Sequence, residues 1–133
     1  MRFQPADLLL IVTGAHLSAE VHDRPIAYAL RDRIAAELGE DRIVVCSDIW
    51  YLNRPELSAS PLIAIGGPEV NALTADLTDS LPAALVVEGK LIVQMDVESV
   101  PVRACCWGID AELTARALLL FAERHLAGFL AAA

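Results

Sequence analysis

Leu62-Ile63-Ala64-Ile65-Gly66-Gly67-Pro68 decides the fold of this chain. Four apolar residues without a polar partner read as a strand buried on both faces. The two glycines stop it sharply, and Pro68 suits the first turn of a following helix, since its missing N–H is not needed there. The spacing predicts that helix to about Ser80, with Val70, Leu73 and Leu77 on its buried side. A strand feeding straight into a helix is the repeating unit of a parallel sheet.

The same unit appears upstream. Leu8 to Thr13 is an apolar run ending at Gly14, read as the first strand. Asp23-Arg24-Pro25 resembles an N-cap with proline in the first turn, and Ile26, Leu30, Ile34 and Leu38 repeat at helical spacing up to Gly39. Arg42 to Ser47 gives the second strand, and residues 48 to 60 read as a loop. Downstream, Ala83 to Val87 and Leu91 to Val93 flank Glu88-Gly89-Lys90, a tight hairpin turn that makes these strands antiparallel. Val100 to Trp107 is a sixth strand entered through Pro101. Asp110 caps a last helix whose apolar face includes Leu113, Ala117, Leu120, Phe121 and Leu130. The order βαββαβββα predicts one α/β domain over residues 1–133: three layers, a mixed, mostly parallel sheet, and helices on both faces.

The 133 residues suit one domain. Hydrophobic residues make up 56 %, which calls for a sheet covered on both faces or an apolar subunit interface; a homodimer or higher homo-oligomer is expected. The net charge of −8, with arginines scattered among acids, argues against nucleic acid as a partner. Cys46, Cys105 and Cys106 make no disulfide framework, which fits a reduced, cytoplasmic setting. The run Leu8 to Val12 is too short to span a membrane and lacks the basic flank of a signal peptide, so no membrane association is expected.

Ligands of open α/β sheets bind beyond the carboxyl ends of the strands. Three such ends carry small or polar residues: Gly14 and His16, then Asp48 and Trp50, then Gly66, Gly67 and Asn71. These are the candidate ligand-binding residues. A glycine pair before a helix start presents N–H groups to an anion, which points to a small anionic or nucleotide-like ligand. Against this, Pro68 has no N–H to give, Glu69 adds a negative charge, and the glycines also serve a tight turn alone. Asn71 either donates to a ligand or ties the loop to neighbouring backbone. Trp50 and Tyr51 either stack on a flat ligand or fold back into the core.

His16 with Asp48 is the weak catalytic candidate pair of a hydrolase or transferase, with Cys46 or Ser47 as nucleophile. Cysteine inside an apolar run more often acts as a small hydrophobe. His16, His22, Asp23 and Asp48 lack any ligand spacing typical of a metal site, so none is expected; the sequence leaves any cofactor unknown. A structural or assembly module without ligand is the third reading.

Gly66-Gly67-Pro68-Glu69-Val70-Asn71 is similar to a Gly-Gly-Pro-x-x-Asn segment of archaeal S-layer and related surface proteins. There it is followed by a strand pair and a Gly-x-Asp-x-x-x-Thr-x-x-Ala segment, which Gly108, Asp110, Thr114 and Ala117 match here. The resemblance covers about the last 70 residues. It implies an α/β module and carries over no catalytic residue. The whole chain also resembles short uncharacterised bacterial α/β proteins.

Overall fold

The computed structural model describes residues 4–133. Six strands form one mixed sheet: β1 (Leu9–Thr13), β2 (Ile43–Ser47), β3 (Leu62–Ile65), β4 (Ala83–Val87), β5 (Leu91–Asp96) and β6 (Arg103–Gly108). Their spatial order is β2-β1-β3-β6-β5-β4. Both neighbours of β1 run parallel to it, and β3 and β6 are parallel, with Ile65 opposite Cys106. The β4–β5 and β5–β6 pairs are antiparallel. The sheet is therefore mixed, parallel on one flank and antiparallel on the other.

Five helices accompany it: α1 (Arg24–Leu38), α2 (Asp48–Leu52), α3 (Ala72–Leu77), α4 (Ala111–Arg124) and α5 (Leu126–Ala132). Alternation along the strands sends side chains to two separate apolar clusters. Leu9, Ile11, Ile63 and Ile65 pack with Leu30 and Ile34 of α1, Phe121 of α4 and Phe129 of α5. The two phenyl rings meet edge-on at 5.7 Å. Leu10, Val12, Leu62 and Ala64 face the other way, onto Leu57, Leu73, Leu77 and Leu81. Every residue of β1 and β3 is buried, which explains why neither shows polar alternation. Edge strand β4 is the exception: Ala83, Ala84 and Val86 are exposed.

The hairpin expected at Glu88-Gly89-Lys90 is present. Glu88 and Gly89 have φ of 54° and 67°, and the Lys90 N–H donates to Val87 O at 2.9 Å. Two successive positive φ values are those of a type I′ turn, whose twist matches the flanking strands.

Four local expectations change. The first helix does not start at an Asp23 N-cap: a π-helical turn, Ala19–Asp23, runs into α1, and Asp23 makes no capping bond. The reason lies at Pro25, which has no N–H and crowds the preceding turn. A wider turn relieves this, with the Arg24 N–H reaching back five residues to Ala19 O. Residues 48–52 are helical rather than loop, because the Ser47 hydroxyl caps them by accepting from the Trp50 N–H at 3.2 Å. The helix expected from Pro68 begins only at Ala72, with Asn71 as its N-cap. Residues 68–70 form a turn in which the Val70 and Asn71 N–H groups both donate to Gly67 O. The last helix breaks at His125 into α4 and α5.

Candidate functional site

Sheet order marks one place for a ligand. Strands β1 and β3 lie side by side, and the chain leaves them toward opposite flanks, β1 toward β2 and β3 toward β4. The carboxyl ends of such a pair usually open into a binding crevice. Here the chain fills that crevice itself.

Asn71 sits at its centre, 1 % exposed. Its amide donates to Val12 O of β1 at 3.1 Å and to Ile65 O of β3 at 2.9 Å. Its carbonyl oxygen accepts from the Leu73 and Thr74 N–H groups at 3.0 and 3.2 Å. Both amide protons and the oxygen are thus engaged, so Asn71 ties the strand ends to α3 and has no donor left for a ligand. Asp48 acts in parallel. One carboxylate oxygen accepts from the Ala15 and Ile49 N–H groups at 3.1 and 2.7 Å, and the other from the Ala72 N–H at 2.7 Å. Gly14 closes the crevice, because a Cβ there would overlap the Val70 carbonyl oxygen.

The other expected site residues part company. His16 is exposed, and its Nδ1 accepts from the Ser18 N–H at 3.3 Å. Its expected partner Asp48 is buried, with both oxygens taken by backbone. Trp50 lies over the β2 edge beneath the Arg54 guanidinium, 4.0 Å from the ring centroid, and lines a shallow depression with Arg24, Cys46 and Ser47. Tyr51 packs against the apolar cluster on its side of the sheet. Burial pushes the Cys46 thiol up to about 11 and the Cys105 thiol up to about 12, and Cys106 well above its ordinary value. Such thiols stay protonated at neutral pH and are poor nucleophiles.

The open space lies one strand over, beyond the carboxyl ends of β3 and β6. A cleft of about 270 Å³ is lined there by Ser18, Asp23, Gly67, Glu69, Asp110 and Thr114, among others. Gly67 is the expected site residue that lines it, and Gly66 lies against Asp23. With φ of 107°, Gly66 adopts a backbone that side chains rarely reach, and a Cβ there would lie 2.7 Å from Asp23 Oδ2. The opposite wall is the α4 entrance. Gly108 N–H donates to Thr114 Oγ1 at 3.0 Å, and Asp110 caps α4 by accepting from the Leu113 N–H at 2.8 Å.

Asp23 is the unusual residue. It is 4 % exposed and accepts no hydrogen bond among the described residues, yet it lines the cleft. Desolvation pushes its carboxyl from 3.8 up to about 6, and the nearby His22 offsets part of this. It comes last in the π-helical turn, a geometry often found at functional sites. From sequence, Asp23 reads as a helix cap and Asp110 likewise; only the second is one. The cue available for Asp23 was Pro25 two residues on, which makes a regular helical turn costly there.

Among the described residues no group of three or more His, Cys, Asp or Glu side chains is placed to hold a metal ion, and no helix is long and apolar enough to cross a membrane. No protein-family model matches the chain, and no curated protein matches it.

Proposed function

We propose that this protein is a small-ligand-binding α/β module whose site is the cleft between the β3–α3 connection and the α4 entrance. One observation carries the reading: a buried carboxyl, Asp23, without a hydrogen-bond partner, faces open space at the carboxyl end of the sheet. A ligand group that donates to this carboxyl supplies the hydrogen bond that no other group among the described residues makes. The volume of about 270 Å³ suits a ligand below drug size.

The anionic or nucleotide-like class suggested by the glycine turn has lost its main support. Glu69 and Asp110 join Asp23 in the cleft, and among the described residues no lysine or arginine lines it. An enzyme built on His16 and Asp48 has weaker support still, since Asp48 is committed to three backbone N–H groups. The homo-oligomer expected from the apolar composition rests on that composition.

The test is an amide-shift screen of the 15N-labelled protein with a library of small neutral, cationic and anionic compounds. Shifts clustered on Asp23, Gly67, Gly108 and Ala111 are expected. A library that moves none of these amides, or moves only those around Trp50, overturns the reading.

A further inference from the structure

The chemistry of the cleft limits what it binds. Its charged side chains are Asp23, Glu69 and Asp110, all acidic. Asp110 already accepts from the Leu113 N–H, while Asp23, on the floor, accepts from nothing among the described residues. His22 acts on Asp23 from the same helical turn, while the next residue in the chain pairs elsewhere. Arg24 pairs outward with Glu20 at 3.4 Å and lies over the Tyr28 ring. Gly66 brings bare backbone against Asp23, and a side chain at Gly66 would crowd Asp23 as one at Gly67 would crowd Glu69. An enclosed carboxylate with unused acceptor capacity, flanked by further negative charge, attracts N–H donors that carry positive charge.

Resting on the cleft being the ligand site, we propose that its ligand presents a cationic nitrogen, an alkylammonium or guanidinium group, which donates to the Asp23 carboxylate on the floor while Glu69 and Asp110 add attraction from the rim. Binding then requires ionised Asp23, and the cation in turn favours that form, so complex formation near pH 6 releases a proton. Burial raises the Asp23 carboxyl and His22 on the π-helical turn offsets part of this; Arg24 next in the chain, Glu69 from the β3–α3 connection and Asp110 from α4 are the other charged groups around it. With half-ionisation near pH 6, affinity falls about tenfold from pH 7 to pH 5.

The experiment is calorimetric titration of the full chain with agmatine, which carries a guanidinium and an ammonium, and with inorganic phosphate as the anionic comparison. Amide shifts are followed in parallel. Agmatine is expected to move Gly67 and Gly108, to bind about tenfold more weakly to Asp23→Asn and about twofold more weakly to Glu69→Gln. At pH 6 its binding heat should differ between two buffers of unlike ionisation enthalpy, which reports proton release and would not arise from a structural role of Asp23. Glu69 is exposed, so its variant keeps the test alive should Asp23→Asn fail to fold. Agmatine binding equally to wild type and Asp23→Asn overturns the inference, as does phosphate moving the cleft amides while agmatine leaves them still. The second result keeps the cleft as a ligand site and changes only its chemistry. Silence from both compounds also overturns it; the ligand-binding reading itself falls only if the wider library leaves the same amides unmoved.

Discussion

Two neighbouring places at the carboxyl edge of one sheet have opposite characters. Between β1 and β3, where topology favours a ligand, Asn71 and Asp48 make seven hydrogen bonds to backbone, and Gly14 lies against Val70. Between β3 and β6, a carboxyl is buried and left without a hydrogen bond beside open space. Asn71 and Asp48 are met in full and hold the fold, whereas the Asp23 carboxyl is unmet and lines open space. A missing partner alone does not mark a site, since the buried Thr13 and Thr74 hydroxyls beside the closed crevice have none either.

Breaking the closed crevice should give the largest effect. Gly14→Ala places a methyl group on the Val70 carbonyl, which is backbone and has no flexible end to yield. The connection after β3 must move, and a loss of about 3 kcal/mol or more is expected, in the range of severe overpacking. Chemical denaturation checks it. A Gly14→Ala protein as stable as wild type would mean that the crevice has room to open.

Asn71→Ala comes next. It removes the α3 cap, worth about 1 kcal/mol, and strips a donor from two buried carbonyls, Val12 O and Ile65 O. A total loss of about 2–4 kcal/mol follows, with retained β-sheet signal. Asn71→Asp separates the two functions. The carboxylate can still cap α3 but faces those carbonyls without donors, so it should be no more stable than Asn71→Ala at neutral pH.

These two residues also show how far the sequence was legible. The strands, the hairpin and the Asp110 cap follow from local rules: apolar runs of four to six residues, a glycine at positive φ, a carboxylate before a helix. Asn71 was legible as a polar residue near a helix start, but its amide bonds reach Val12, 59 residues away. Asp48 likewise joins Ala15 and Ala72 from either side in the chain. Such long-range pairing leaves no local trace. The cleft was hidden for the same reason, since it forms between β3 and β6, whose adjacency depends on the hairpin returning the chain to the middle of the sheet. Asp23 reads as a cap because proline near a helix start usually marks one; the chain instead widens to a π-helical turn. The Gly-Gly-Pro-x-x-Asn and Gly-x-Asp-x-x-x-Thr segments hold Asn71 and Asp110, both N-caps, so their spacing reflects how two helices are entered.

The open cleft predicts the opposite sign. The Asp23 carboxyl is raised from 3.8 to about 6 in the folded protein. A raised carboxyl favours the folded state only while protonated. Its cost is absent below pH 3.8, grows as the pH rises to about 6, and is full above that. Because the carboxyl borders the open cleft and is partly screened by solvent, this amounts to about 1–2 kcal/mol. Asp23→Asn removes the charge and should raise the melting temperature at pH 8 while leaving it nearly unchanged at pH 4. Equal shifts at both values would show that the carboxyl titrates alike in the folded and unfolded chain, and the contrast between the two places would collapse.

Gly67→Ala should have the smallest effect on stability and the sharpest use. Gly67 has no positive φ, so alanine meets no backbone penalty. Its Cβ would lie 2.6 Å from Glu69 Oε2, the far end of an exposed side chain that can swing away, and 3.4 Å from the Trp107 ring. A change below about 1 kcal/mol is expected, because the one close atom sits at the end of a side chain that can move aside. The added methyl nevertheless stands in the cleft and displaces one of its three carboxylates. A folded Gly67→Ala protein with weakened binding separates the cleft from the scaffold, which no substitution in the stapled crevice can do. Gly67→Ala as damaging as Gly14→Ala would instead place both glycines in one packed unit.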